Sequence, residues 1–458
     1  MAKLLCTADV HLGRRPTRVP EGLDAHRLGP AAAWERLIDV AIEQAVDAVL
    51  LAGDVVDADN RFYEAYAPLA EGVERLLAAG IPIHAVAGNH DHDVLARLAD
   101  QFAGFHLLGR GGAWEVAELG ATAGQHPASS DVQNPTSDVQ PPTSSVQHPT
   151  SNIQLIGWSF PDRYVARNPL DDFPVVDASR PVVGLLHADV DAAGSRYAPV
   201  RLAELTSKPV AAWLLGHVHQ PALLSDTPPV LYPGSLQGLD PGEPGRRGAW
   251  LLSIGDGPAR FEPIPLAGLR YGPIDVDLSE HDADEPLDAR VAAAVRDRVH
   301  ALRDELGPAE AIGFRVRLTG RVDVALRRRL PAAIAKVSTE LPLPIDGVQC
   351  FVESVADRTE PRLPLEELAR SSDPLGLLAR RVLVLERREP PEQYDRLIRE
   401  AGPAVAHARA AAPFASLEDG DHSDHGNTEP TDEHVRGQLL DAGRALLAEL
   451  HAQREEPR

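Results

Sequence analysis

Residues 48–57 read Ala-Val-Leu-Leu-Ala-Gly-Asp-Val-Val-Asp, a short apolar run that ends in a glycine and two carboxylates. A short run that is apolar throughout is typical of a strand buried on both faces of a sheet. A glycine at its end lets the backbone turn sharply and come close to a bound group. The stretch therefore predicts a buried strand followed by a turn that carries Asp54 and Asp57.

Four further apolar runs of this kind occur at residues 3–7, 83–87, 182–186 and 211–215. Apolar residues recur at helical spacing in two segments between them, residues 31–44 and 65–79. Strands that alternate with helices are typical of an α/β sheet. Ligands of such sheets bind in the crevice outside the carboxyl ends of the strands.

A cluster of polar side chains follows each of the five runs. Asp, Asn and His supply the oxygen and imidazole ligands that suit manganese, iron or zinc. We therefore expect one metal site at the carboxyl edge of the sheet, built from Asp9-Val10-His11, Gly53-Asp54-Val55-Val56-Asp57, Gly88-Asn89-His90-Asp91, His187 and Gly216-His217-Val218-His219.

This ordered series resembles the motifs of the calcineurin-like metallophosphoesterase superfamily. The resemblance implies an α/β fold, a four-layer α/β/β/α sandwich that carries two divalent metal ions. It implies that Asp54 bridges the metals, and that the remaining ligands divide into two sets, Asp9, His11 and His219 in one and Asn89, His187 and His217 in the other. It also implies that His90 is the catalytic histidine that binds no metal, and that Asp57 orients it.

Further segments resemble the SbcD-like DNA repair exonucleases within that superfamily. They are His11-Leu12-Gly13, Tyr232-Pro233-Gly234-Ser235, residues 315–321 and residues 373–378. The resemblance implies a DNA exonuclease or endonuclease that uses Mn²⁺ and works with an SMC-like coiled-coil ATPase subunit. A homodimer is compatible with it.

Arginines close to the first motif are candidate contacts to DNA phosphates. Arg14, Arg15 and Arg18 directly follow Asp9-Val10-His11. Arg246, Arg247 and residues 327–329 are further candidates, although charged runs are usually solvated surface.

Two other functions remain open at this point. One is a phosphatase or phosphodiesterase that acts on a small-molecule or protein phosphoester. The other is a noncatalytic scaffold that regulates an ATPase, which the complete ligand set disfavours. A second domain after the metal domain favours the nuclease over the phosphatase or phosphodiesterase.

The pattern of residues divides the chain into three parts. We expect a metallophosphoesterase domain at residues 1–270, a small α+β capping domain at 271–357 and a helical C-terminal tail at 358–458. Proline-containing heptapeptides rich in Ser, Thr and Gln predict a disordered insertion at residues 126–152. A polar, acidic stretch predicts a linker at 416–433.

The net charge of −23 opposes nonspecific binding to nucleic acid. Bound divalent cations would invert the field locally, so the charge does not exclude a DNA substrate. No apolar run approaches the roughly 20 residues of a membrane span, and the N-terminus has no signal-peptide pattern. We therefore expect a cytoplasmic protein with no membrane contact.

Overall fold

The structure is a computed structural model that describes residues 1–57, 62–119, 153–280, 285–340, 342–411 and 430–455. The insertion predicted at residues 126–152 and residues 416–429 of the predicted linker lie outside this part of the chain. The chain divides into two compact units. The first comprises Met1–Pro273, Val295–Arg315 and Leu341–Glu353, and the second comprises Ile274–Ala294, Val316–Glu340 and Ser354–Arg458.

Two six-stranded sheets form the centre of the first unit. Their strands in chain order are β1 (Ala2–Thr7), β2 (Ala48–Ala52), β3 (Ile83–Val86), β4 (Phe105–Leu107), β5 (Glu115–Leu119), β6 (Ile153–Trp158), β7 (Val182–His187), β8 (Ala212–Gly216), β9 (Ala222–Asp226), β10 (Pro229–Tyr232), β11 (Gly248–Ile254) and β12 (Arg260–Pro265). The first sheet has the order β12-β11-β1-β2-β3-β4, and the second has the order β5-β6-β7-β8-β10-β9. The five strands predicted from the apolar runs are all present.

The metal-site strands are parallel within each sheet. β1, β2 and β3 pair in parallel in the first sheet, as do β7 and β8 in the second. Parallel neighbours bring their carboxyl ends to one edge of the sheet, which explains why the polar clusters that follow these strands can meet.

Helices cover the outer faces of the two sheets. The helices of this part of the chain are α1 (Pro30–Glu43), α2 (Phe62–Ala78), α3 (Leu95–Ala99) and α4 (Leu202–Ser207). In the first sheet, Leu5 packs in one core with Trp34 of α1, whereas Leu4 packs with Leu185 between the sheets. Successive side chains of a strand point to opposite faces, so both faces of β1 are buried. On the far side of the second sheet, Trp213 packs with Leu205 of α4. The predicted four-layer α/β/β/α arrangement is confirmed.

The remaining strands form two small sheets, accompanied by two helices. The strands are β13 (Leu269–Asp277), β14 (Ala311–Thr319), β15 (Arg321–Val322), β16 (Pro342–Ile345), β17 (Val348–Asp357) and β18 (Glu360–Pro361). The helices are α5 (Leu287–Ala301) and α6 (Val324–Glu340). The four-stranded sheet has the order β13-β14-β17-β16, and β15 pairs with β18. This part of the chain has the α+β composition expected from the sequence.

Four helices form the C-terminal tail of the second unit. They are α7 (Leu365–Leu368), α8 (Pro374–Arg387), α9 (Pro391–Ala411) and α10 (Asp432–Glu455). Val382 of α8, Ile398 of α9 and Leu447 of α10 belong to one apolar core, which confirms the helical tail. Helix α10 already includes Asp432 and Glu433, at the end of the predicted linker, because acidic residues in a first turn stabilise a helix N-terminus. Among the described helices, none has the length and apolar character needed to span a bilayer.

Candidate metal centre

The polar segments after the strands are joined by backbone hydrogen bonds. The amide of Asp9 donates to the carbonyl of Gly53 at 3.1 Å, and that of His11 donates to the carbonyl of Asp54 at 3.0 Å. Between the two sheets, Nδ1 of His187 lies 3.0 Å from the carbonyl oxygen of Ala52. The motifs that contain Asp9, Asp54 and His187 therefore meet at one place.

One set of possible ligands consists of Asp9, His11 and His219, which offer donor atoms within 4.8 Å of one another. Nε2 of His11 lies 3.1 Å from Nε2 of His219, and Oδ1 of Asp9 lies 3.9 Å from the latter nitrogen. A carboxylate with two imidazole nitrogens is a donor set that suits a divalent transition metal. The structure thus brings together the three residues expected to share one metal.

A second set lies around Asp54 and His187. Oδ2 of Asp54 is 3.4 Å from Nε2 of His187, and Oδ1 of Asn89 is 3.1 Å from the same nitrogen. The ring of His217 lies 5.3 Å from that of His187, centroid to centroid. Asp9 also belongs to this neighbourhood, because Asp9, Asp54 and His187 form a further possible ligand group. The sequence placed Asp9 with one metal only, and the structure places it near both sets.

Burial and mutual attraction set the charge states of the cluster. Burial raises the pKa of the Asp54 carboxyl, but the nearby His187, His11 and His90 lower it below its usual range. Burial lowers the pKa of His11 to about 3, against a smaller opposing effect of Asp54. An ionised carboxylate and a neutral imidazole are the forms that bind metals, so Asp54 and His11 fit a metal ion. Burial lowers the pKa of His187, but the charge of Asp54 outweighs this effect and raises it to about 9, so a metal ion would displace a proton from His187.

The histidines of the second sheet have partners for their other ring nitrogens. Nδ1 of His219 lies 2.7 Å from Oε1 of Glu243, and Nε2 of His217 lies 3.4 Å from Oδ1 of Asp189. Such partners fix the orientation and tautomer of a histidine that binds a metal. Neither Glu243 nor Asp189 was predicted from the sequence, because no local pattern links either acid to the histidine it contacts.

The Glu243 carboxylate is itself held by its surroundings. Its Oε2 accepts hydrogen bonds from the Ser235 hydroxyl at 3.1 Å and from the Leu239 amide at 3.0 Å. Burial raises the pKa of Glu243, but the His219 hydrogen bond and charge outweigh this effect and lower it to about 2. An ionised Glu243 therefore faces His219.

Asp91 ties the loop after β2 to the loop after β3. Its carboxylate accepts hydrogen bonds from the amides of Val55 at 2.7 Å and Gly88 at 2.8 Å. Its side chain is fully buried. Burial, together with the nearby charge of Asp54, raises the pKa of Asp91 to about 7. The sequence places Asp91 in the Gly88-Asn89-His90-Asp91 motif but does not indicate that it joins the two loops.

His90 and Asp57 lie beside the cluster, as expected, but not within hydrogen-bond distance of each other. Nδ1 of His90 is 3.9 Å from Oδ1 of Asp57, and the side chain of His90 is 29% exposed. The amide of His90 donates to Oδ1 of Asp54 at 2.8 Å, which fixes its backbone at the cluster. Oδ2 of Asp57 lies 3.8 Å from Nδ1 of His11, so Asp57 contacts both histidines.

The candidate DNA-contact arginines differ in their surroundings. Arg14 lies 3.6 Å from Asp57, and Arg15 pairs with Glu64 at 3.1 Å, while Arg18 is exposed. Arg247 is only 3% exposed, and it donates to the carbonyl of His219 and to the side chain of Gln220. The expectation that Arg247 contacts DNA is therefore wrong, because its guanidinium is used inside the protein.

Comparisons with known proteins place this geometry in context. Residues 2–221 match the family model of the calcineurin-like phosphoesterases. A Bacillus subtilis protein named uncharacterized metallophosphoesterase YhaO is 27% identical over 262 residues, which cover 56% of this chain and 58% of that protein. An Aeropyrum pernix protein named DNA double-strand break repair protein Mre11 is 38% identical over 91 residues, covering 20% of this chain and 21% of that protein.

A similar solved structure is a dimetal phosphatase from Danio rerio. It has 14% identity and a TM-score of 0.33, and the match covers 56% of this chain and 93% of that one. The family match spans the five motifs that meet at the metal centre. Residues 2–221, just under half of the chain, are therefore similar to the calcineurin-like phosphoesterases, and the metal centre lies within this match. The chain spans little more than half the length of its Bacillus subtilis relative.

Proposed function

We propose that this protein is a Mn²⁺-dependent DNA nuclease, an exonuclease or endonuclease of the SbcD-like kind that hydrolyses phosphodiester bonds in DNA repair. The observation that supports metal-dependent hydrolysis is the buried cluster of Asp9, Asp54 and His187 with its neighbouring ligands. The partial similarity to proteins named for DNA double-strand break repair supports DNA as the substrate. An SMC-like ATPase subunit as partner is part of the same proposal.

The cluster would hold two divalent cations. Asp9, His11 and His219 would bind one, Asn89, His187 and His217 would bind the other, and Asp54 would bind both. Bound there, the cations would neutralise phosphate charge and lower the pKa of a water molecule.

The protein's own groups position the remaining chemistry. His90 has a backbone fixed by its hydrogen bond to Asp54 and a side chain that is partly exposed. It can therefore reach a substrate at the edge of the cluster and donate a proton to the leaving oxygen. Oδ1 of Asp57 lies 3.9 Å from Nδ1 of His90, where it can orient that imidazole. In this scheme His90 is the catalytic acid and Asp57 is its positioning partner.

The alternative is a phosphatase or phosphodiesterase for a small-molecule or protein phosphoester. The same metal centre serves both functions, so the metal ligands do not discriminate between them. The second unit after the metal domain favours a larger substrate such as DNA.

The proposal is tested by incubating purified protein with end-labelled linear duplex DNA and Mn²⁺. Bis-p-nitrophenyl phosphate and p-nitrophenyl phosphate are assayed in parallel. We expect metal-dependent release of nucleotides, lost in Asp54→Ala. His90→Asn should lower the rate about 10²–10⁴-fold while metal binding persists, because the lost group only transfers a proton. The exposed His26→Asn is the matched control and should retain the full rate.

The substrates separate the two candidate functions. Hydrolysis of the small esters by a protein that leaves DNA intact, alone and with its ATPase partner, would transfer the function to the alternative. Full activity of His90→Asn would refute the role given to His90 without affecting the metal ligands.

A further inference from the structure

A ledge of aromatic and arginine side chains adjoins the metal centre in the first unit. We define it by Tyr164, Tyr197, Arg163 and Arg196. The ring of Tyr197 lies 4.6 Å from that of His217, centroid to centroid, at an interplanar angle of 34°. The ring of Tyr164 lies 5.7 Å from that of Tyr197. A series of ring contacts thus leads from a metal ligand outward to the surface.

The outer end of the ledge is exposed and positively charged. The side chain of Tyr164 is 46% exposed, which is unusual for a large aromatic residue. The guanidinium carbon of Arg196 lies 4.2 Å from the Tyr164 ring centroid, and that of Arg163 lies 6.0 Å away. The side chain of Arg196 is exposed, so its guanidinium can pair with a phosphate of a bound strand.

Backbone hydrogen bonds hold the ledge in place. The amide of Val165 donates to the carbonyl of Arg196 at 2.8 Å, and the amide of Ala198 donates to the carbonyl of Val165 at 2.7 Å. On the other side, the amide of Asp189 donates to the carbonyl of Tyr197 at 2.9 Å. The segment that carries Tyr197 is therefore fixed between two others, so the ring positions are preorganised.

The inner end of the ledge is coupled to the metal ligand through Asp189. One carboxylate oxygen of Asp189 lies 3.4 Å from Nε2 of His217, and the other accepts the Ser195 hydroxyl hydrogen bond. The Ser195 hydroxyl in turn accepts a hydrogen bond from the Tyr197 amide at 3.1 Å. His217 and Tyr197 thus share one hydrogen-bonded support, and a group stacked on the ledge lies at a fixed distance from the metal centre.

Planar aromatic faces beside arginines are the chemistry that binds unpaired nucleobases. Bases stack on aromatic rings with little regard to sequence, and arginine adds both a planar face and a charge for the backbone phosphates. We propose that the ledge binds the unpaired base next to the scissile phosphodiester, so that Tyr164 and Tyr197 position the strand at the metal centre. This inference rests on the proposed nuclease function and specifies which residues hold its substrate.

The test measures binding of a labelled single-stranded oligonucleotide in the presence of Mn²⁺. It is performed in the His90→Asn background, which slows hydrolysis. The same oligonucleotide with abasic units at its terminus provides the comparison, and terminal 2-aminopurine reports stacking by fluorescence quenching. We expect base-bearing DNA to bind about ten-fold more tightly than abasic DNA, with quenching of the terminal base.

Substitutions of Tyr164 test whether the ledge is responsible for this binding. Tyr164→Ala should abolish the preference for base-bearing DNA and the quenching, whereas Tyr164→Phe should keep both, because the phenyl face is retained. The control Tyr66→Ala removes a tyrosine of similar exposure, 40%, from α2 and should change neither. Tyr164 is exposed, so its removal leaves the core intact, and far-ultraviolet circular dichroism with Mn²⁺ titration confirms the fold and the metal site.

The outcomes separate this inference from the proposed function. One outcome is that the native protein releases nucleotides from DNA while base-bearing and abasic DNA bind equally well. That result would refute the proposed role of the ledge and would leave the proposed nuclease function intact. Base-dependent binding that Tyr164→Ala abolishes would support the ledge even if the chain proved unable to hydrolyse DNA, in which case only the nuclease proposal would fail.

Discussion

The two six-stranded sheets contribute different kinds of ligand to one metal centre. The first sheet supplies mainly oxygen donors, from Asp9, Asp54 and Asn89, whereas the second supplies only the imidazoles of His187, His217 and His219. A centre assembled from both kinds of donor can exist only where the two sheets lie close together. The packing between the sheets is therefore part of the site.

The two halves also differ in the partners that orient their ligands. Left-handed backbone conformations occur in both, with φ of 49° at Asp9, 51° at His11 and 51° at Asp54 in the first half and 98° at His217 in the second. Such conformations are costly for residues other than glycine and persist because neighbouring hydrogen bonds enforce them. In the second half, a carbonyl or carboxylate partner orients each imidazole. Backbone changes should therefore disrupt the site, and partner changes should adjust its metal affinity.

The largest expected effect comes from Gly216→Ala, where the two halves touch. A Cβ at Gly216 would lie 1.9 Å from the carbonyl oxygen of Ala52 and 2.6 Å from Nδ1 of His187. Because the first of these atoms is backbone, the sheets themselves must move. We expect the free energy of unfolding to fall by about 3 kcal/mol, with loss of Mn²⁺ binding. Chemical denaturation and a Mn²⁺ titration measure the two effects.

Gly257→Ala is the matched control for that substitution. Gly257 has no neighbour within 4 Å of an added Cβ and lies between β11 and β12, away from the cluster. Its free energy of unfolding should change by no more than about 0.5 kcal/mol. A Gly216→Ala protein with native stability and full Mn²⁺ binding would show that the close approach of the sheets is unimportant.

A smaller effect is expected from Glu243→Gln in the second half. Glutamine keeps an acceptor for Nδ1 of His219 but places an amide NH₂ opposite the donors Ser235 and Leu239. We expect the dissociation constant for Mn²⁺ to rise about 10–100-fold, as is usual when a partner of a metal-binding histidine is lost. Isothermal titration calorimetry measures the affinity, and the exposed Glu262→Gln serves as control. An unchanged affinity for Mn²⁺ would show that Glu243 only holds its own loop in place and does not influence the metal site.

The ligands could be predicted from the sequence because each one follows an apolar run that forms a buried parallel strand. His187 and His217 are examples, since β7 and β8 leave them at one edge of the second sheet. Their partners could not be predicted in this way. Glu243 lies 24 positions from His219 along the chain, and no local pattern records that a loop brings them together.

The sequence also could not predict which charged residues are buried. Arg247 adjoins Arg246, and the pair reads as a basic surface patch. The structure instead pairs Arg246 with Glu305 and buries Arg247 against the backbone of the loop that carries His219. Which of two adjacent arginines points inward depends on the fold of the loop, which only the tertiary structure determines.

The smallest expected effect is a pH dependence of stability that arises outside the metal centre, in the first sheet. His84 of β3 is buried and stacks on His106 of β4, with ring centroids 4.8 Å apart. Burial, with a smaller contribution from His106, lowers the pKa of His84 to about 3. In the unfolded chain a histidine has a pKa of about 6.5, so below that pH the unfolded state takes up a proton that the folded state refuses.

The sign of the effect follows from that difference. The stability contributed by neutral His84 is fully present above pH 6.5 and decreases as the pH falls towards 3. Between pH 7 and pH 5 we expect a loss of about 1–2 kcal/mol in the free energy of unfolding relative to His84→Leu, which has no proton to bind. Urea denaturation of metal-free protein at both pH values measures it. If the free energies of unfolding of the two proteins change in parallel between pH 7 and pH 5, His84 takes up its proton in the folded protein as readily as in the unfolded chain. The first sheet would then tolerate a buried charge that its packing is expected to exclude.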